Sequence, residues 1–146
     1  MIALGSDHAG FELKHHILQY LKDKGYDVTD IGCPTAASVD YVPFGEAAAM
    51  EVVSGRAELA IVICGTGLGI SMAANKVRGI RAALCTNELM ARMARMHNDA
   101  NVLALGGRVI GPSLAEAIVD AFMTTGFEGG RHAERVKLLM DIENRQ

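Results

Sequence analysis

Apolar residues follow two alternating patterns along this chain: short uninterrupted aliphatic runs, and longer stretches in which they recur every three or four positions. The pattern predicts strands over 2–4, 27–31, 60–63, 80–84 and 102–105, followed in turn by helices over 11–24, 44–54, 70–76, 88–96 and 114–124. A last helical pattern covers about 131–144. Five strand–helix units in succession imply an α/β architecture, a doubly wound sheet of five parallel strands with helices on both faces. In the first helix Leu13, Ile17, Leu18 and Leu21 share one face, Lys14, His15, Lys22 and Asp23 lie off it, and Gly25 supplies a stop signal. No repeat, low-complexity tract or linker interrupts the alternation, so residues 1–146 read as a single domain.

Composition narrows the partners. Half of the 146 residues are apolar, enough to bury a core without covalent staples. A formal net charge of -3 lacks the broad basic field that nucleic acid or an acidic membrane surface requires, which leaves small molecules as the expected ligands. No run approaches a membrane span and the first ten residues lack the layout of a secretory signal, so a cytoplasmic protein is expected. Cys33, Cys64 and Cys85 are odd in number and far apart, which points to reduced thiols rather than disulfides or a metal knuckle.

In such sheets ligands sit at the carboxyl ends of the strands. The segments there read GSDHAG, CGTGLGIS, CTNE and LGGRVIG. In the second, Gly65, Gly67 and Gly69 allow close backbone approach, and Ile70-Ser71 enters a helix whose free N–H groups attract an oxyanion or phosphate. The spacing is GxGxG with no acidic residue closing the next strand, which argues against a dinucleotide, and no Gly-Lys-Ser/Thr follows to make a Walker loop. Cys64 opens this loop, where a thiolate is favoured; it reads either as a base or nucleophile or as a small residue filling a strand end. Cys33 and Cys85 have no such loop and read as ordinary packing residues.

Three other polar groups have two readings each. Asp7 and His8 follow the first strand, where an acid beside an imidazole handles hydroxyl protons, or where Asp7 caps the first helix. His97, Asn98, Asp99 and Asn101 crowd a connection between the fourth helix and fifth strand, at the rim opposite Cys64, so that a monomer struggles to join them; on spacing alone capping and a turn account for them better, unless a second chain joins the two rims. Arg131, His132 and Arg135 open the last helix, where cations oppose the macrodipole and call for an anion, unless they form a solvated face with Glu134. Arg108 is a further cation past the fifth strand. His15 and His16 read as surface or packing residues, and Met90, Met93 and Met96 as core or interface.

GSDHAGFELK, VDY, ICGTGLGISMAANK, GIRAALC, RMHNDANVLALGGRVIG and GGRHAERV together resemble the type B ribose-5-phosphate isomerases, the RpiB/LacAB sugar-phosphate isomerase family, over essentially the whole chain. The resemblance implies a Rossmann-like fold, no metal or organic cofactor, and aldose–ketose interconversion through a cis-enediol(ate). It makes Cys64 the base that moves the proton between C2 and C1, Thr66 its support, and His97 the group that assists ring opening. Asp7, His8, Tyr41, Gly65, Gly67, Leu68, Gly69, Ser71, Asn98 and Arg108 would contact the substrate, with His8, Arg131 and Arg135 at its phosphate. Family sites are built from two subunits, so a homodimer is the expected minimum, with a tetramer compatible and the last helix packed on the partner. One departure stands out: the family commonly reads DYP where this chain reads VDYVPFG, with Val42 displacing Pro43, which bears on sugar length. The expected activity is therefore on ribose 5-phosphate, with a hexose 6-phosphate (allose or galactose) and a non-catalytic sugar-phosphate sensor as rivals.

Overall fold

The computed structural model describes residues 1–146. In chain order the elements are β1 (Ile2–Ser6), α1 (Phe11–Asp23), β2 (Val28–Asp30), α2 (Tyr41–Val53), β3 (Leu59–Cys64), α3 (Leu68–Asn75), β4 (Ala82–Leu84), α4 (Glu88–Asn98), β5 (Val102–Gly106), α5 (Pro112–Thr124), α6 (Arg131–Asp141) and a closing 3-10 turn, Glu143–Arg145. The five strands form one sheet in the order β2-β1-β3-β5-β4, and every pair is parallel. Strands buried on both faces need uninterrupted apolar runs, and LAIVIC in β3 and VLALG in β5 are of that kind.

Alternation along the strands sorts the core into two layers. Ile61, Ile63, Leu103 and Leu105 point to the side covered by Ile17 and Leu21 of α1, Ala91 of α4, and Ile118 and Phe122 of α5. Val62, Cys64, Val102 and Ala104 point to the other side, against Ala48 and Ala49 of α2 and Ile70 and Ala74 of α3. Cys64 thus shares its face with α2 and α3. The chain leaves β1 toward β2 on one side and returns to β3 on the other, so the crevice between the carboxyl ends of β1 and β3 is the switch point where such sheets take their ligands. No helix is long and apolar enough to cross a membrane.

Four local expectations are corrected. Lys14 is not on the solvent side of α1 but fully buried, its Nζ donating to Asp30 Oδ1 at 2.8 Å and to the Cys33 carbonyl at 2.7 Å; its long stem crosses the layer and its charge finds two acceptors at the end. Helix α2 starts at Tyr41 rather than at 44, because the Asp40 carboxylate accepts from the Val42 N–H and Pro43, in the first turn, lacks only an N–H the helix would not use. Helix α4 runs on to Asn98, so His97 and Asn98 belong to its last turn rather than to a connection, and Asp99 ends it in the left-handed region at φ 46. Of the two readings of the α4 methionines, core or interface, the first is corrected: they are outside both core layers, with Met90 exposed and Met93 and Met96 half-buried. By contrast, Gly25 ends α1 as expected: Gly25 N–H reaches Lys22 O and Tyr26 N–H reaches Leu21 O, a Schellman stop.

Candidate active site

The loops after β1, β3 and β5 are stitched together at the carboxyl rim by main-chain hydrogen bonds. Asp7 N–H donates to the Ile63 carbonyl, Gly107 N–H to the Cys64 carbonyl at 2.8 Å, and Arg108 N–H to the Gly65 carbonyl at 2.9 Å. Asp7 is buried, its Oδ1 accepting from Gly10 N–H at 3.0 Å, so it closes the turn ahead of α1 while Gly10 itself takes the cap position. The Val39 N–H and carbonyl lie 3.1 and 3.2 Å from His8 Nδ1, so the ring has a partner whether that nitrogen accepts or donates. Arg108 lies over Gly65, with a guanidinium nitrogen 3.3 Å from where a Cβ would stand. A groove of about 450 Å³ opens beside His8, lined also by Glu12, Ala36 and Gly107.

Cys64 ends β3, 4% exposed, and its Sγ accepts from the Gly67 N–H at 3.2 Å. Thr66 Oγ1 accepts from the Leu68 N–H, also at 3.2 Å, so two N–H groups of the glycine loop are spent on the loop's own side chains rather than left for a ligand. Ser71 Oγ donates back to the Leu68 carbonyl at 2.7 Å and locks the first turn of α3. Gly67 must be glycine: φ is 81 and a Cβ would come within 2.9 Å of the Leu105 carbonyl carbon. At Gly69 a Cβ would meet the Tyr41 ring at 2.5 Å, so the absent side chain is what lets Tyr41 cover the loop. The other cysteines differ in setting: Cys33 Sγ donates to the Thr35 carbonyl, and burial pushes the Cys85 thiol up to about 11.

The remaining candidates gather at the opposite rim. His97 ends α4, Arg131 and Arg135 open α6 one turn apart, and His132 lies beneath them, buried. The His97 and His132 rings stack with centroids 4.1 Å apart and planes 11° from parallel. Glu128 Oε2 is 3.4 Å from His132 Nε2 and 4.0 Å from His97 Nε2. Burial foremost, then the charge of His97 and the cation Arg131, holds His132 below its ordinary value of 6.5. These two histidines and Glu128 offer ligand atoms within 4.8 Å of one another, but stacked imidazoles aim their lone pairs along parallel planes, and one metal ion cannot lie in both. A hollow of about 390 Å³ nearby, between β4 and α6, includes Asn98 and Arg81.

The structure thus brings Asp7, His8, Tyr41, the Cys64–Ser71 loop and Arg108 to one rim, and His97, Asn98, Arg131 and Arg135 to the other. Two residues were missed by sequence reasoning. Lys14 was hidden because a lysine on a helix normally marks the wet face. Arg81, whose guanidinium donates to the Asn98 and Asp99 carbonyls at 3.1 and 2.7 Å, holds the end of α4 under His97, and no local pattern announces that role.

A family model described as Ribose/Galactose Isomerase matches residues 2–139. Ribose-5-phosphate isomerase B of Escherichia coli is 47% identical over 99% of this chain and 97% of its own length. A solved ribose-5-phosphate isomerase B from Clostridium thermocellum superposes with a TM-score of 0.98 at 57% identity, covering 99% of this chain and 97% of that one. Another, from Mycoplasma genitalium with bound ribulose-5-phosphate, gives 0.94 at 42% identity, covering 99% and 97%. With the match running from β1 into α6, this chain belongs to the ribose/galactose isomerase family and is an isomerase of that family.

Proposed function

We propose that this chain interconverts ribose 5-phosphate and ribulose 5-phosphate, as a cytoplasmic homodimer whose sites each combine the carboxyl rim of one copy with the amino rim of the other. The observation that carries this reading is the division of one family's functional residues between opposite rims of a single sheet. Cys64 and the glycine loop sit at one rim and His97, Arg131 and Arg135 at the other, so one chain has both halves and cannot close them on one substrate. A two-fold axis solves the problem twice over, since it presents each half to its complement. Helix α6 supports the same assembly: His132 is its one buried residue, while Leu138, Leu139 and Ile142 at its far end stay exposed.

In this reading Cys64 Sγ takes the proton from C2 and returns it to C1. A C2–H is a far weaker acid than a thiol, so the rate comes from positioning and from donors that meet the enediolate charge. The Gly67 N–H fixes the position of the sulfur, and Thr66 holds the loop through the Leu68 N–H. Asp7, His8, Tyr41 and Arg108 grip the sugar, while His97 and Asn98 of the second copy assist opening of the furanose ring. Arg131 and Arg135, with His8, take the phosphate, two guanidiniums one helical turn apart being suited to it. No metal or organic cofactor enters the scheme.

A hexose 6-phosphate is the second reading, favoured by one feature: Val42 precedes Pro43 in the first turn of α2, directly after the Tyr41 that covers the loop. EDTA-treated protein assayed side by side on ribose 5-phosphate and allose 6-phosphate decides between them. Ketose formation faster from ribose 5-phosphate supports the pentose reading. A preference for allose 6-phosphate moves the assignment to the hexose, and silence on both replaces it with a sugar-phosphate sensor.

A further inference from the structure

His132 has no part in the scheme above, yet its setting is unusual. It is the only buried residue of α6, and an imidazole taken out of water without a partner is costly. The fold goes to some length to place it. The Glu128 N–H donates to the Met96 carbonyl at 3.1 Å, tying the segment before α6 to the last turn of α4. Gly129 and Gly130, at φ 70 and 56, then turn the chain so that α6 starts with His132 facing that turn. The outcome is the near-parallel stack on His97 at 4.1 Å, with the Glu128 carboxylate 3.4 Å from His132 Nε2.

We propose that His132 is a positioning residue for ring opening: its flat face, held at its edge by Glu128, fixes the plane of the half-exposed His97 imidazole that is offered to the sugar. The inference rests on the reading of His97 given above. On its own His97 is a side chain on the final turn of a helix, free to rotate about two bonds; a stacked ring removes that freedom without occupying the polar edge that exchanges protons. Burial foremost holds His132 below its ordinary value, which favours an uncharged ring as the platform under His97. The adjoining Arg131 and Arg135 stay free for phosphate, because the turn that buries His132 leaves both of them exposed.

The test is a set of variants assayed on ribose 5-phosphate, with melting temperature followed in parallel. His132→Leu fills the same volume without a flat face, and His132→Phe keeps the face without the nitrogens. The expected result for His132→Leu is a kcat lower by on the order of tenfold to a hundredfold with KM nearly unchanged, since misorientation costs rate rather than binding. His132→Phe recovers most of that loss. In a His97→Ala background, His132→Leu produces no further loss, because a residue acting through another couples to it fully. Full kcat in His132→Leu, or losses that simply add in the double variant, would overturn the inference while leaving the proposed function standing. Full kcat in His97→Ala would instead strike the reading of His97, and this inference with it.

Discussion

At the carboxyl ends of the strands, three loops hold one another through main-chain bonds, and two of the candidate residues, Cys64 and Asp7, are buried with a donor on each. At the amino ends, the candidate residues hang on the last turn of α4 and on a helix that buries a single side chain in its own chain. The first rim is finished within one chain: Gly67 and Gly69 are shaped by what lies against them, and Tyr41 already covers the loop. The second presents cations and an imidazole outward with nothing opposite. The difference teaches that precision here follows the sheet, whereas the amino rim is held less tightly within its own chain, and the proposed dimer would supply what faces it.

The sharpest way to test the first rim is to remove its sulfur. Cys64→Ala lowers kcat by roughly 10²- to 10⁴-fold, the range of a lost general base. Affinity for ribose 5-phosphate, measured by calorimetry, stays within about tenfold, or 1.4 kcal/mol. Undiminished turnover would remove the thiol from the chemistry. On the second rim the effect is on binding: Arg131→Ala and Arg135→Ala each raise KM about tenfold, as the loss of a charge-assisted bond does, with kcat little changed. An unaltered KM in both would return these arginines to a solvated face.

Smaller effects separate support from chemistry. Lys14→Met deletes the charge that ties α1 to Asp30 and to the Cys33 carbonyl, and urea unfolding is expected to show a loss of about 2 kcal/mol. No loss would mean that the buried ammonium costs as much to desolvate as its two bonds return. The smallest effect is a pH slope. Folding holds His132 below 6.5, so the unfolded chain takes up that proton first as pH falls. Its contribution to stability is whole above 6.5 and declines as pH drops from there through the folded value. His132→Phe therefore flattens the melting temperature between about pH 7 and pH 5, and an equal slope in both proteins would contradict the assignment.

Much of this was legible in the sequence because the alternation of apolar runs is strong: all five strands and six helices occur in the predicted order, with bounds shifted by a few residues at α2, α4 and β4, and the carboxyl-end rule leads directly to Cys64 and Asp7. What escaped depended on contacts between distant segments. Nothing near Lys14 in sequence reveals that Asp30 and the Cys33 carbonyl will meet it in the interior. The start of α2 was misplaced because Pro43 reads as a boundary when it stands instead in a first turn capped by Asp40. His132 was seen only as one of three basic residues; its stacking on His97 follows from two glycines and one main-chain bond that no spacing rule encodes.

The claim that each site is shared between two copies is tested most directly by mixing two crippled variants. Cys64→Ala and His97→Ala, each nearly inactive, are unfolded together, refolded and assayed on ribose 5-phosphate. In a shared site the mixed dimer carries both lesions in one site and neither in the other, so random pairing restores about a quarter of wild-type activity. If Cys64 and His97 serve the same site from the same chain, every site keeps one lesion; activity no higher than that of the variants alone would contradict the account.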